Sequence, residues 1–222
     1  LLSSNWSRHA LSFEAGGTTV SHDEFSNEDH DTYFAGARGR LDIGSSSNVS
    51  ARASIAHEAE ARNDPDAPAQ GIPLVEFDRT DLAISPQHRF NRFRVTGTVG
   101  QIEQEYDGTQ SFRDFDETRL TGRVEAEISP RVGLMLEATT DERDYDNTPT
   151  LNSEGTTYLV GATINFTDLM QGYVAIGQFE REYDSGDSTD GLAASAALEW
   201  YITRLTTITL NGHRNSEENV GA

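Results

Sequence analysis

The stretch "LAASAALEWYITRLTTITLNG", residues 192–212, alternates apolar and polar side chains with a period of two residues. The positions between the apolar ones carry polar side chains such as Glu199, Thr207 and Asn211. This period is typical of β-strands that have one apolar face and one polar face. The apolar face contacts either a protein core or lipid, and that choice decides the class of protein. The apolar positions are Leu192, Ala194, Ala196, Leu198, Trp200, Ile208 and Leu210.

The composition excludes several classes of protein. The chain of 222 residues has 37 acidic and 17 basic residues and a net charge of −20. All 17 basic residues are Arg. Such a surface repels phosphate, so nucleic acid is not expected as a partner. Without Cys there is neither a disulfide framework nor a thiolate metal site. No apolar run approaches the roughly 20 residues of a membrane-spanning helix, but a barrel strand crosses lipid with only about 10 residues.

Alternating segments recur along the whole chain, and helix signals are nearly absent. The alternation predicts about 11 or 12 antiparallel strands. Strands this long fit a tilted membrane strand better than a soluble sandwich, where about 5–6 residues are usual. Residues 1–7 are predicted to end one further strand. The predicted strands span residues 10–21, 32–44, 48–61, 74–85, 91–106, 117–128, 132–145, 156–167, 172–184, 191–202 and 205–215.

The predicted connectors alternate between short turns and longer acidic loops, which is typical of an up-and-down meander. Tyr106-Asp107, Tyr145-Asp146 and Tyr183-Asp184 recur at spacings of 39 and 38 residues, at corresponding points of three hairpins. The pattern predicts one β-barrel domain over residues 1–222. The short turns are Arg8-His9, Ser45–Ser47, Ser85–Asn91, Ser129–Arg131, Thr167–Met170 and Thr203-Arg204. The loops are "DEFSNEDHD", "RNDPDAPAQGIPL", "YDGTQSFRDFDE", "YDNTPTLNSEG" and "YDSGDSTDG".

The two faces of the predicted strands differ in chemistry. In "TRLTGRVEAEI", residues 118–128, Leu120 and Val124 alternate with Arg123 and Glu125. The apolar positions are rich in Ala and Gly, whereas a soluble core needs more Leu, Ile and Phe. We therefore expect the apolar face to contact lipid, as in a transmembrane barrel. The alternative is a soluble antiparallel β-sheet that acts as a binding domain, and weak alternation in 49–60, 74–84 and 172–180 keeps that alternative open.

Aromatic residues gather near the predicted strand ends, which is the position of the aromatic girdles of membrane barrels. The girdle candidates are Tyr33, Tyr158, Phe166, Tyr173 and Trp200, with Tyr201 beside the last of them.

Several segments resemble the outer-membrane β-barrel porins of the BBP2 type, found in proteobacteria. They are "WSRHALSFEAGG", "HRFNRFRVTGTVGQIEQEYDG", "ISPRVGLMLEATTDERDYDN", "FTDLMQGYVAIGQFEREYDS" and "WYITRLTTITLNGHRNSEE". The resemblance implies a transmembrane antiparallel barrel in the Gram-negative outer membrane, sometimes encoded near exopolysaccharide genes. Short turns would then lie in the periplasm and acidic loops outside the cell. A complete member has a signal sequence, a closing strand and a terminal aromatic residue, so we expect further strands at both ends in a longer protein.

Two acidic features are candidate cation sites. The Tyr-Asp repeat predicts either a carboxylate ring at the outer mouth or ordinary strand-end chemistry, with Tyr at the membrane interface and Asp starting the turn. "HDEFSNEDHD", residues 22–31, lacks the oxygen spacing and central Gly of an EF-hand, which favours a solvated loop over a metal site. Such loops would bridge to lipopolysaccharide phosphates through Ca²⁺ or Mg²⁺. The candidates are Asp23, Glu24, Glu28, Asp29, Asp107, Asp146 and Asp184.

Charged side chains of both signs occupy the polar face of the predicted strands. We expect them to point into the barrel, because an Arg that faces lipid at the midplane costs about 2–4 kcal/mol. They either line a channel and set its ion preference, or pair with one another and fill a closed interior. The lumen candidates are Arg38, Arg40, Arg52, Arg79, Asp81, Arg92, Arg94, Arg119, Arg123, Glu125, Glu127, Glu137 and Glu199.

No catalytic motif stands out, so neither an enzyme nor a cofactor is predicted. His213 and Ser216 near one strand end, and His22 beside Asp23, make no constellation by themselves. Two functions remain. One is a passive channel or export portal, including one for polysaccharide, and the other is a plugged structural barrel whose loops bind a surface partner such as an envelope protein. About 8–10 strands leave a filled interior and about 16 leave an aqueous channel.

Overall fold

The computed structural model describes residues 1–24, 28–60, 74–167, 169–203 and 206–214. The chain forms one antiparallel sheet of 12 strands, β1 to β12, in which each strand pairs with its neighbours in sequence. Among the described residues, no pairing joins β1 to β12. This confirms the predicted up-and-down order. The strands span Leu2–Ser3, Ala10–Val20, His30–Ile43, Ser47–Ala59, Glu76–Phe90, Phe93–Tyr106, Phe115–Ser129, Val132–Tyr145, Ser153–Thr167, Met170–Tyr183, Ser188–Thr203 and Thr206–Arg214.

The connections at the two ends of the strands differ, and we call these ends of the sheet the turn end and the loop end. The turn end connects β1 to β2, β3 to β4 and so on, and its tight turns use left-handed backbone at His9, Gly44 and Asn91, with φ of 68°, 64° and 54°. The loop end connects β2 to β3, β4 to β5 and so on. It includes two short 3₁₀ helices, Gly108–Arg113 and Pro149–Leu151. Most of the acidic loop predicted over 62–74 lies outside the described residues.

Two predicted connectors are strand instead. Residues 85–90, predicted as part of the turn Ser85–Asn91, belong to β5 and include Pro86. The ladder between β5 and β6 is interrupted at Ser85 and Pro86 while the register on either side is unchanged, so the missing proline N–H is tolerated. The second is "YDSGDSTDG", predicted as a long loop. β11 already begins at Ser188, and Gly186 at φ 91° closes a tight turn from Tyr183.

Burial is inverted relative to a soluble protein. The buried side chains include charged groups on one face, such as Glu117 at 1% exposure. On the other face, large apolar side chains such as Leu136 and Val160 are 60% and 53% exposed. Side chains on a sheet become buried on one face only if that face is concave and their neighbours cover them. The polar, concave face is therefore the interior of the barrel, and the apolar face is turned outward, as the two-residue alternation predicted.

The long strands extend beyond the apolar band. A strand of 15 residues such as β7 rises roughly 35 Å, at about 3.3 Å per residue and a tilt near 45°. The apolar band of outer-membrane barrels is only about 25 Å tall. Both ends of the strands therefore project into the polar interfaces. Among the described residues, no helix is both long and apolar enough to cross a membrane.

Candidate functional site

The inner face of β2 to β11 carries as many arginines as carboxylates. Cross-strand pairing places all the predicted lumen candidates of these strands on this face, with Arg92 in the turn below it. Their role in ion preference stays a prediction. The arginines are Arg38, Arg40, Arg52, Arg79, Arg89, Arg94, Arg119, Arg123, Arg143 and Arg181. The carboxylates are Glu14, Asp42, Glu58, Asp81, Glu117, Glu125, Glu127, Glu137, Asp141 and Glu199.

The inner wall of β6 to β10 is densely ion-paired. Arg123 lies 2.5 Å from Glu137, and Arg143 donates to Glu117 at 2.6 Å. Arg119 lies 2.5 Å from the other oxygen of Glu117. The carboxylates of this wall therefore lie within reach of a guanidinium group, which offsets the cost of placing their charges inside the barrel.

One of these pairs crosses an intervening strand. Asp141 on β8 and Arg181 on β10 both register with Gly155 of β9, and Arg181 donates to Asp141 directly above this glycine. Arg181 also donates to Ser153 Oγ at 2.8 Å. A Cβ at Gly155 would lie 2.7 Å from the guanidinium and 2.8 Å from the carboxylate. Gly155 therefore leaves the space in which the ion pair forms.

The inner wall of β2 to β5 is open. It bounds a cavity of about 640 Å³ whose floor consists of small residues, among them Ser50, Ser54 and Ala83. Arg38, Arg40 and Arg52 also line it. The polar face is thus divided into a packed wall and an open wall, which the sequence did not predict.

The loop end of the packed wall is held by an inward-folded loop. Arg113 of the first 3₁₀ helix lies 2.5 Å from Glu60, and both side chains are 7% exposed. Its guanidinium also stacks on the ring of Tyr106 at 4.2 Å. The next loop packs against the first, since Asn147 donates to the carbonyl oxygen of Ser111 at 2.9 Å. These contacts tie the two loops to each other and to Glu60 at the loop end.

The Tyr-Asp repeat is a structural repeat of strand ends. β6, β8 and β10 end at Tyr106, Tyr145 and Tyr183. The N–H of Tyr106 donates to the side chain of Asp114, and the N–H of Tyr145 donates to that of Asn152, at 2.7 and 2.8 Å. Tyr106 and Tyr145 lie on the inner face rather than at the membrane interface. A side chain just before the next strand thus closes each of these two loops.

The structure brings one of the predicted cation ligands into a mixed group. Asp107 converges with His57 and Glu76, and their ligand atoms lie within 4.8 Å of one another. Asp29 instead accepts a hydrogen bond from the N–H of His22 at 2.7 Å. Among the described residues, no other such metal-ligand group includes Asp23, Glu24, Glu28, Asp146 or Asp184.

A band of carboxylates lies on the outer face, between the apolar band and the loop end. Several of its members stand directly opposite one another, such as Glu103 and Asp116, or Glu154 and Glu182. The strands β2 to β11 place no arginine on this face within the described residues. The excess negative charge is thus outside the barrel wall and not in the lumen. The band contains Asp78, Glu103, Glu105, Asp116, Glu142, Asp144, Glu154, Glu180, Glu182 and Asp190.

The girdle prediction needs one correction. Tyr33, Tyr158 and Trp200 are exposed on the outer face, and the side chain of Phe166 lies outside the described residues. Tyr173 lies on the inner face, where its hydroxyl is 3.0 Å from Ser195 and Arg123 approaches its ring.

Sequence reasoning missed the stacked pair Phe90 and Phe93 at the turn end, with ring centroids 5.7 Å apart. Their position on either side of a two-residue turn was a signal that the sequence offered.

Tyr201, which follows Trp200 and was grouped with the strand-end aromatics, lies on the inner face like Tyr173, in register with Thr207.

Within the part of the chain that the structure describes, the residues considered for catalysis do not assemble. His213 lies in register with Ser195 on the inner face, and Ser216 lies outside the described residues. The ring of His22 lies 3.4 Å from Asp29. None of these contacts makes a nucleophile–base pair.

Comparison with known proteins gives a family. The family model described as "Putative beta-barrel porin 2" matches residues 1–222. OmpT, an outer membrane protein of Vibrio cholerae, aligns over 90% of this chain and 85% of its own, at 11% identity and a TM-score of 0.44. The trimer form of OmpT aligns over 91% of this chain and 87% of its own, at 11% identity and a TM-score of 0.46. The ferric yersiniabactin uptake receptor FyuA from Yersinia pestis aligns over 89% of this chain and 40% of its own, at 12% identity and 0.39. No curated protein matches the chain in sequence.

Proposed function

The chain belongs to the family of putative beta-barrel porin 2, and from that premise we propose that it is a passive channel for small hydrophilic solutes. The family and the fold are those of a porin-like β-barrel of the bacterial outer membrane. They point to a barrel without an enzymatic role. By analogy with other outer-membrane barrels, the turn end lies in the periplasm and the loop end outside the cell.

The observation that carries this proposal is the open inner wall of β2 to β5. A barrel that serves only as a scaffold fills its interior with side chains. Here the floor residues are small, the side chains of Arg38 and Arg40 are 71% and 54% exposed, and the cavity has a volume of about 640 Å³. Such a wall supports water and polar solutes along its length.

The charge distribution supports a cation preference that arises at the mouth. The inner wall has equal numbers of arginines and carboxylates, whereas the outer band near the loop end has many carboxylates and, among the described residues of β2 to β11, no arginine. Cations therefore accumulate around the entrance, within a Debye length of about 8 Å at physiological ionic strength. The same band supports bridging to lipopolysaccharide phosphates through divalent cations, which is our proposal for a partner.

A second candidate is a plugged barrel whose loops bind a surface partner, such as another envelope protein. The packed wall favours it, since Met135 and Glu117 are fully buried on the inner face and Arg113 is tied to Glu60 beneath the mouth. A portal for polysaccharide export is a more specific version of the channel proposal. It needs a passage wide enough for a sugar chain.

Single-channel conductance of the full-length protein in a planar bilayer tests these alternatives. A steady, ohmic, cation-leaning current is the expected result for a passive channel. Swelling of proteoliposomes in solutions of neutral sugars of increasing length then measures the width that export requires. A folded barrel that conducts no current refutes the channel and leaves the plugged barrel.

A further inference from the structure

The open wall carries an arginine that has no ionic partner among the described residues. Arg52 lies opposite Arg38 on β3 and Ala83 on β5. Two carboxylates share its cavity, and both are engaged elsewhere. Glu14 lies 3.1 Å from Arg38, and Asp81 lies 2.8 Å from Arg79. After these pairs are made, one guanidinium group remains.

The register places two like charges in direct opposition. Arg38 and Arg52 are cross-strand partners on the same face, an arrangement of like charges that destabilises a sheet, and the contact of Arg38 with Glu14 offsets only one of the two charges. Both lie near the middle of their strands, where the surrounding floor consists of small and hydroxyl-bearing residues such as Ser50 and Ser54. An anion between the two guanidinium groups removes the repulsion.

We propose that Arg38 and Arg52 form an anion-binding site on the wall of the passage, for small hydrophilic solutes that carry a carboxylate or phosphate group. This proposal rests on the proposed channel function and names the solute class. Guanidinium groups bind both anions through paired, charge-assisted hydrogen bonds. The cavity of about 640 Å³ is within the range of about 300–1,000 Å³ that is usual for small-molecule sites. The hydroxyl groups of Ser50 and Ser54 suit the polar remainder of such a solute.

The acidic outer band does not oppose this site. The band lies toward the loop end, whereas Arg52 lies near the middle of β4. Salt screens the interaction of exposed charges that are further apart than about 8 Å at physiological ionic strength. A channel with a cation-leaning mouth can therefore hold an anion deeper in its wall.

Transient block of the ionic current tests the proposal. The full-length protein in a planar bilayer is titrated with glucuronate, inorganic phosphate and, as a neutral probe, glucose. In Arg52→Gln, we expect the half-blocking concentration of the anions to rise about tenfold or more, because a charge-assisted contact is lost. Arg131→Gln removes the same charge in the turn between β7 and β8, away from the cavity, and leaves the block unchanged. The heat-modifiable migration of folded barrels in gels confirms that each variant folds.

The outcomes separate the site from the channel. An anion block that is equal in the native protein and Arg52→Gln overturns the site, as does block by glucose at the same concentrations. If the folded protein conducts no current, calorimetric titration in micelles replaces the block. In that case the missing current already refutes the channel. Anion binding that is lost in Arg52→Gln still supports the site, whereas no anion binding overturns the site as well. The tighter of glucuronate and phosphate identifies the recognised group.

Discussion

An arginine placed on either face of one strand distinguishes a lipid-facing surface from a soluble core. Leu136 on β8 is 60% exposed on the outer face, between Val124 and Val160 on the neighbouring strands. Thr139, three residues along, faces the interior opposite Thr121. We expect Leu136→Arg to destabilise the barrel in lipid by about 2–4 kcal/mol, the cost of Arg at the midplane. That lowers the folding equilibrium constant by about 30- to 700-fold.

Thr139→Arg is the matched control. It places the same side chain on the polar face and loses the contact of 3.0 Å between the hydroxyl groups of Thr139 and Thr121, which is worth about 1 kcal/mol. The free energies of unfolding come from guanidinium titrations in lipid vesicles, followed by tryptophan fluorescence. Equal costs for the two variants, or a larger cost for Thr139→Arg, would refute the assignment of the faces.

Three further predictions concern the glycine, the outer band and the mouth. Gly155→Ala separates Arg181 from Asp141, and we expect it to lower the free energy of unfolding by about 1–3 kcal/mol. Gly122→Ala is the control, because no atom lies within 4 Å of the added Cβ, and it should lower that free energy little. Equal losses in the two variants would contradict the role of Gly155. Chelation of divalent cations lowers the melting temperature in vesicles that contain lipopolysaccharide, by mass action, and an unchanged value refutes cation bridging. Arg113→Ala frees the inward loop and raises the mean single-channel conductance, and an unaltered current shows that this loop does not narrow the passage.

The strands and their faces were predictable because the two-residue period is local. The alternation within "TRLTGRVEAEI" alone predicts which side chains face inward and which face outward, and in β7 they lie on the predicted faces. Alternation is weak over residues 172–180, but the parity of Tyr173 is opposite to that of Val174 and Ile176, which point outward. Assignment by nearness to a strand end ignored this parity. Aromatic girdles should therefore be assigned by face first and by depth second.

The contacts that decide the interior are not local, so alternation does not predict them. Glu60 and Arg113 are 53 residues apart in sequence and meet only because the loop after β6 folds inward. Asp141 and Arg181 lie on strands that do not pair with each other, and their contact depends on the missing side chain of Gly155. The open and packed walls likewise follow from which small residues register with which arginines. Register is set by the whole sheet.

The inward arginines help to set that register. A slip of one residue moves every side chain of a strand to the opposite face. On β7, such a slip would place Arg119 and Arg123 against lipid, at about 2–4 kcal/mol for each arginine near the midplane. It would also separate Arg123 from Glu137. Because the apolar face of β7 includes Gly122 and Ala126, its apolar side chains alone distinguish the registers less strongly. The paired charges that line the interior therefore also specify which way each strand faces.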